Sequence, residues 1–282
     1  MMIFEKNEII LTEELIRRES LKEWSLSFEL GTAGYRAQMD PKDPFESKVA
    51  FNAIKVAVIA EAKACVYDEM FKGKAVIERH VGGEVRPFTQ DFIRLVSRIY
   101  AAHGHKVHLR SSVKTTPIWY SSFGVFYNEY TDGENFTASH SPNFKGGWKP
   151  MNGDGKQLLR EAELIKAKVR EIVRPGYVIK FAPPDSSLIT EDFDVTEVYA
   201  EYLKTIVSKE TLNFIKEAGE KGFVAFASTI GGSMGKTSKA IFKHLGITTG
   251  EKGVVHYIHD EDDSNYHGIG ILRGENYGVD PG

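Results

Sequence analysis

A serine and a histidine stand next to each other at Ser139 and His140, where a predicted strand over residues 134–137 runs into a loop. Ligands of α/β proteins gather where strands end in loops. A serine hydroxyl beside an imidazole can act as a nucleophile, and the same pair is also common as a hydrogen-bonded loop feature. The residue types alone leave both interpretations open.

Cationic side chains next to turns flank this pair in the sequence. Several cations converging on one point would neutralise an anion, and a phosphate group suits such a site. Solvated surface charge is the alternative for each of them taken singly. The cations in question are Arg36, Arg86, Lys145 and Lys149.

The elements that must position these residues alternate between strands and helices. Apolar spacing predicts a long helix over residues 47–71, a strand over 75–81 and a helix after Thr89, which we expect to cap it. A strand over 105–110 and a helix over 119–127 precede the strand that leads to Ser139. This rhythm predicts a mixed α/β sheet sandwiched by helices.

A second, incomplete α/β domain is predicted after proline-rich breaks near residue 185. We expect domains over residues 1–190 and 191–282, the first holding the Ser139 loop. A helix around Tyr199, a buried strand over 223–227 and a helix over 236–245 would restart the same architecture. The final residues have no closing helix, from which we expect the chain to be cut from a longer one.

The composition argues for small-molecule chemistry in a reducing compartment. Lys and Arg total 36 against 39 for Asp and Glu, so the net charge of −3 provides no field for nucleic acid or an anionic membrane. The single cysteine, Cys65, excludes an internal disulfide. The expectation is a cytoplasmic protein with neither a nucleic-acid nor a membrane partner.

The loop at residues 137–142, Thr-Ala-Ser-His-Ser-Pro, resembles the Thr-Ala-Ser-His-Asn-Pro phosphoserine loop of the α-D-phosphohexomutases, the family of phosphoglucomutases and phosphomannomutases. Four other segments resemble landmarks of that family in the same order. They are 28–37 (its opening Gly-Thr-Ala-Gly segment), 81–86 (its Val-Gly-Tyr-Asp-Thr-Arg turn), 115–117 (its Thr-Pro element) and 147–149 (its Asn-Gly-hydrophobic-Lys step).

The resemblance implies reversible phosphoryl transfer on glucose or mannose phosphates through a hexose 1,6-bisphosphate. Ser139 would carry the phosphate, and as phosphoserine it would bind Mg²⁺. Such chemistry needs alignment and charge neutralisation more than covalent assistance. By the same resemblance, His140, Lys149 and Arg36 would be catalytic, and Arg86, Lys145 and Ser141 would contact phosphate or substrate.

The sequence departs from the family pattern at two levels. Ser141 replaces a usual Asn, and Glu84 a usual Asp. The family's Asp-Gly-Asp-x-Asp-Arg metal loop and its sugar loop are absent, so the remaining metal ligands are not in this chain, and we expect the chain alone to lack mutase turnover. An inactive homologue that binds sugar phosphates is the alternative. The acidic run 260–263 is interpreted as a solvated turn.

The loop over residues 227–238 partly matches the sequence patterns of two other classes of enzyme. Gly235-Lys236-Thr237 resembles the end of a phosphate-binding P-loop, although Ile230 stands where that pattern requires glycine. Ser233 lies in a Gly-x-Ser-x-Gly pattern typical of α/β-hydrolases, but little chain follows for an acid and a histidine. In the mutase interpretation this loop only connects a strand to a helix.

Overall fold

The computed structural model describes residues 6–31, 34–40, 42, 50–73, 76–111, 115–269, 271–272 and 275–276. Six of the first eight strands form one mixed sheet in the spatial order β2-β6-β5-β3-β4-β8, and β1 pairs with β7 in an antiparallel ribbon. The strands are β1 (Glu8–Leu11), β2 (Tyr35–Gln38), β3 (Glu78–Gly83), β4 (Lys106–His108), β5 (Asp132–Phe136), β6 (Lys145–Asn152), β7 (Tyr177–Lys180) and β8 (Ile189–Thr190).

Both faces of the six-stranded sheet are covered by helices, which confirms the predicted fold class. The strands β5, β3, β4 and β8 run parallel, whereas β2 and β6 add an antiparallel edge. Helix α5 covers one face, and α3, α4 and α6 cover the other. The helices of this part are α1 (Glu13–Arg18), α2 (Leu21–Ser27), α3 (Ala53–Met70), α4 (Thr89–Ala102), α5 (Ile118–Tyr127) and α6 (Arg160–Ile172).

Two helices begin at residues other than those predicted. Helix α3 begins at Ala53 rather than at residue 47, because the Asn52 side chain accepts a hydrogen bond from Lys55 N (2.9 Å) and caps it there. Residues 47–49 lie outside the described residues. Helix α4 is capped by Phe88, with φ +60°, and Thr89 is its buried first residue.

A network of four buried charges connects α3 to the centre of the sheet. Lys63 Nζ lies 3.0 Å from Glu134 and 3.4 Å from Asp132, and Arg79 lies 3.3 Å from Asp132. All four side chains are fully buried. The Tyr100 hydroxyl donates to Glu134 at 2.7 Å. Burial raises the pKa of Asp132, and the two cations oppose that rise.

The described residues of the second part of the chain form three α-helices and a pair of parallel strands, followed by a short antiparallel pair. The predicted strand exists but is not buried, because Phe226 is 70% exposed. Two-residue strands at the end, β11 and β12, pair antiparallel. The elements are α7 (Thr196–Ile206), α8 (Lys209–Glu220), β9 (Ala225–Ser228), α9 (Met234–His244), β10 (Val255–Ile258), β11 (Ile271–Leu272) and β12 (Glu275–Asn276).

Strand β8 ends at Thr190, and residues on either side of that point remain in contact. Phe193, just beyond it, still stacks on His80 of β3 with ring centroids 3.5 Å apart. Farther along, the buried Arg110 guanidinium donates to Thr237 of α9 at 2.7 Å. Within the described residues, no helix has the length and apolar character needed to cross a membrane.

Candidate active site

Ser139 lies in the loop that follows β5, at the carboxyl end of the parallel strands. The backbone of Ser139 is left-handed, with φ +57°, and its side chain is exposed. The Thr137 hydroxyl accepts from Ser139 N at 3.0 Å, which fixes this turn. His140 Nδ1 lies 3.4 Å from Ser139 Oγ, within reach of a proton transfer once the pair tightens.

The buried guanidinium of Arg86 holds the backbone of this loop. Its two terminal nitrogens donate to four loop carbonyls, and its Nε donates to Glu84 at 2.7 Å. Glu84 also accepts a hydrogen bond from Ala138 N at 2.8 Å, so Glu84 and Arg86 together hold the loop in place. The accepting carbonyls belong to Ser139 (2.8 Å), Ser141 (2.5 Å), Pro142 (2.5 Å) and Lys145 (3.2 Å).

Replacing Arg86 by lysine should loosen the loop without unfolding the protein. One ammonium group cannot reproduce the planar fork that reaches four carbonyls and a carboxylate. Hydrogen exchange measured by mass spectrometry should speed up at least about tenfold over residues 138–145, in line with the loss of charge-assisted hydrogen bonds. The control is Arg94→Lys, whose side chain is 66% exposed. Unchanged exchange in Arg86→Lys would contradict this role.

Strand register places Arg36 and Lys149 on the same sheet face as Asn135, which lies on the strand that leads into the Ser139 loop. Arg36 is paired with Gly147, whose carbonyl accepts from Thr137 N at 3.0 Å. Lys149 is paired with Asn135. Paired residues share a face and strands are about 5 Å apart, so Arg36 lies roughly 10 Å from Thr137. Part of the opening segment, at residues 32–33, lies outside the described residues.

A cleft of about 280 Å³ lies between the Ser139 loop and the second part of the chain. Ser139 and His140 line it, whereas Arg36, Arg86, Lys145, Lys149 and Ser141 are not part of its lining. The structure thus joins the serine and the histidine in one cleft and sets two of the predicted cations on neighbouring strands. The opposite wall is formed by Thr229, Ile230, Gly232, Ser233, Met234 and Tyr266.

Tyr266 is a residue of this cleft that sequence reasoning missed. It is 6% exposed, and its hydroxyl has no hydrogen-bond partner among the described residues. Burial, and then the Glu84 carboxylate, raise its pKa, so the hydroxyl stays protonated at neutral pH. Its ring centroid lies 5.7 Å from the Arg86 guanidinium carbon. No motif surrounds Tyr266, so only the folded chain reveals it.

The residues described in this cleft do not make a magnesium site on their own. Magnesium demands six oxygen ligands in near-octahedral geometry. Glu84 is the one carboxylate in the described lining, and its Oε1 already accepts from Arg86 and Ala138. Ser139 would therefore need ligands from elsewhere to hold the ion.

The residues of the P-loop-like pattern are engaged in other contacts. Thr237 accepts from Arg110 and is fully buried. Lys236 pairs with Asp262 at 2.8 Å, and Lys239 pairs with Asp260. The acidic turn therefore pairs with two of the three lysines of α9.

The mixed α/β sheet carries a serine loop, held by Arg86, at the carboxyl end of its parallel strands. The chain belongs to the phosphoglucomutase/phosphomannomutase family, because residues 28–174 match the family's alpha/beta/alpha domain I. This confirms the predicted family.

Curated relatives agree with this assignment. A phosphoglucomutase of Staphylococcus haemolyticus is 29% identical over 126 residues, covering 44% of this chain and 23% of the relative. A phosphomannomutase of Mycoplasma pneumoniae is 25% identical over 201 residues, covering 71% and 34%. The chain thus spans between about a quarter and a third of the length of these relatives.

Two solved structures share the fold. The open form of a Paramecium phosphoglucomutase, parafusin, superposes with a TM-score of 0.66 at 15% identity, over 85% of this chain and 44% of that one. A phosphoglucomutase/phosphomannomutase family protein of Burkholderia thailandensis gives 0.54 at 15% identity, over 86% and 45%.

Proposed function

We propose that Ser139 accepts and returns a phosphoryl group in a reversible transfer on a hexose phosphate. The observation that carries the proposal is the exposed Ser139 hydroxyl on a loop held by Arg86, facing a cleft beside His140. Glucose or mannose phosphates, through a hexose 1,6-bisphosphate, are the proposed substrates, in keeping with the family. We further propose the domain division near residue 190.

The proposed step exchanges one phosphorus–oxygen bond for another. Ser139 Oγ attacks a phosphorus of the bisphosphate while its proton passes to His140 Nδ1, and the bond from phosphorus to the sugar oxygen breaks. The sugar oxygen then takes up a proton. Arg36 and Lys149 neutralise the phosphoryl oxygens from the neighbouring strands, and alignment with charge neutralisation is what this chemistry requires.

The test measures a single phosphoryl transfer rather than turnover: the chain is incubated with Mg²⁺ and glucose 1,6-bisphosphate, and the phosphate is mapped by mass spectrometry of its peptides. One phosphoryl group on Ser139 is the expected result. Binding of the sugar phosphate with no phosphorylated peptide would favour the alternative, an inactive homologue that only binds sugar phosphates. Phosphate on another residue would contradict the proposed mechanism.

Tyr266→Phe is expected to weaken binding of the bisphosphate about tenfold while leaving the fold as stable or slightly more stable. In the unliganded cleft, the buried Tyr266 hydroxyl has no hydrogen-bond partner among the described residues, which lowers the stability of the fold. A ligand oxygen that accepts from this hydroxyl would add about 1–1.5 kcal/mol to the free energy of binding. Calorimetric titration measures the affinity, and thermal melting measures the stability. Tyr257→Phe is a matched control, since that hydroxyl donates to Ser238 outside the cleft lining. Equal affinity in wild type and Tyr266→Phe would remove Tyr266 from the site.

A further inference from the structure

Three side chains with metal-ligating atoms meet on the sheet face covered by α3 and α4, away from the Ser139 cleft. Glu61 and Cys65 lie one turn apart on α3, and His103 caps the carboxyl end of α4. One donor atom of each lies within 4.8 Å of the other two. Within the described residues, no other group of three His, Cys, Asp or Glu side chains meets this condition.

His103 is oriented through its ring nitrogens by two carboxylates, as metal-binding histidines commonly are. Its Nε2 faces Glu61 at 3.0 Å, while its Nδ1 lies 2.6 Å from Asp68. Metal-binding histidines nearly always give their second ring nitrogen to a carboxylate or carbonyl, which fixes the ring. Asp68 is itself held by His105 Nε2 at 2.6 Å, and the Tyr177 hydroxyl donates to Glu61 at 2.9 Å.

We propose that Glu61, Cys65 and His103 bind a zinc-type transition-metal ion at a site separate from the phosphoserine cleft. A thiolate, an imidazole and a carboxylate form a donor set that suits Zn²⁺ and not Mg²⁺. At zinc bond lengths of about 2.0–2.3 Å, tetrahedral ligand atoms lie roughly 3.3–3.7 Å apart. Glu61 approaches both partners near that range, with its Oε2 lying 3.0 Å from His103 Nε2 and its Oε1 lying 3.8 Å from Cys65 Sγ.

Binding replaces hydrogen bonds with coordinate bonds and releases protons. The ion takes the place of the Glu61–His103 contact, and the thiol of Cys65 and the Nε2 of His103 give their protons to solvent. Asp68 keeps its bond to His103 Nδ1 and orients the ring. The side chain of His103 is 18% exposed and that of Asp68 is 41% exposed, so the ion has a route from solvent.

Cobalt substitution tests the site directly, because a cobalt–thiolate bond produces an intense near-ultraviolet charge-transfer band that other ligands lack. Co²⁺ titrated into the untagged, reduced chain should give this band at one ion per chain, and Zn²⁺ should abolish it. Failure of the band to form would overturn the proposal, since the cluster would then be only a network of ion pairs.

Substitutions distinguish a residue that would bind the ion from one that only orients a ligand. Cys65→Ser, nearly isosteric, should lose the band and weaken Zn²⁺ binding at least tenfold in calorimetry, whereas Asp68→Asn should keep the band and bind about 10–100-fold more weakly. His244→Ala removes an exposed histidine of α9 and should change neither readout. One-site Zn²⁺ binding that Cys65→Ser leaves unchanged would also overturn the assignment. Melting of each metal-free variant verifies its folding.

Discussion

Ser139→Ala should reduce phosphoryl transfer from glucose 1,6-bisphosphate to the chain by more than about a thousandfold. Removing a nucleophile removes the covalent pathway itself, and losses of this size or larger are typical. The exposed side chain contributes little to packing, so the free energy of unfolding should change by less than about 1 kcal/mol. Intact-mass spectrometry measures the phosphorylated fraction over time, and urea denaturation measures stability.

Two serine variants provide matched controls for this result. Ser141→Ala keeps the backbone carbonyl that Arg86 holds at 2.5 Å, so the loop should stay in place and transfer should persist. Ser233→Ala lies on the opposite wall of the cleft, where its side chain makes no capping hydrogen bond with α9. Phosphorylation of Ser139→Ala at the wild-type rate, or its loss in Ser233→Ala alone, would refute the assignment.

Lys63→Met should cost about 3–5 kcal/mol of folding free energy. The substitution leaves Glu134 and Asp132 buried with one cation, Arg79, which lies 3.3 Å from Asp132 and is the only other cation in this network. Breaking a buried ion pair by removing one partner is expensive because the other charge cannot return to water. The midpoint of urea unfolding at neutral pH, with an unchanged slope, measures the loss.

The control for this variant is Lys168, whose own side chain is 15% exposed but whose partner carboxylates both reach solvent. Lys168 contacts Glu69 at 2.8 Å and Glu171 at 2.7 Å, and both acids are more than half exposed. Lys168→Met should cost no more than about 1 kcal/mol. Adding Glu134→Gln to Lys63→Met should recover part of the loss, because it removes the stranded charge. A Lys63→Met protein as stable as Lys168→Met would show that the buried network is not a stabilising one.

The sequence by itself determined the features that are local in the chain. Apolar periodicity predicted α4, α5, α7 and α9 as helices because helical packing repeats every three to four residues. The six residues around Ser139 and the order of the flanking segments predicted the family, which the match over 28–174 confirms. The assignment of Ser139 and the cations as site residues stays a prediction.

The tertiary structure alone decided what depends on distant residues. Strand β6 was missed because its glycine- and lysine-rich sequence has low strand propensity. Its glycines are required by neighbours far away in sequence, since a Cβ on Gly146 would lie 2.2 Å from Phe51 and one on Gly147 would lie 2.1 Å from the Thr137 carbonyl. The sequence predicted that Arg86 contacts phosphate or substrate. In the fold, its guanidinium donates hydrogen bonds to backbone carbonyls of the Ser139 loop. Tyr266 enters the cleft only because the second part of the chain packs against the first, and no local pattern encodes such a contact.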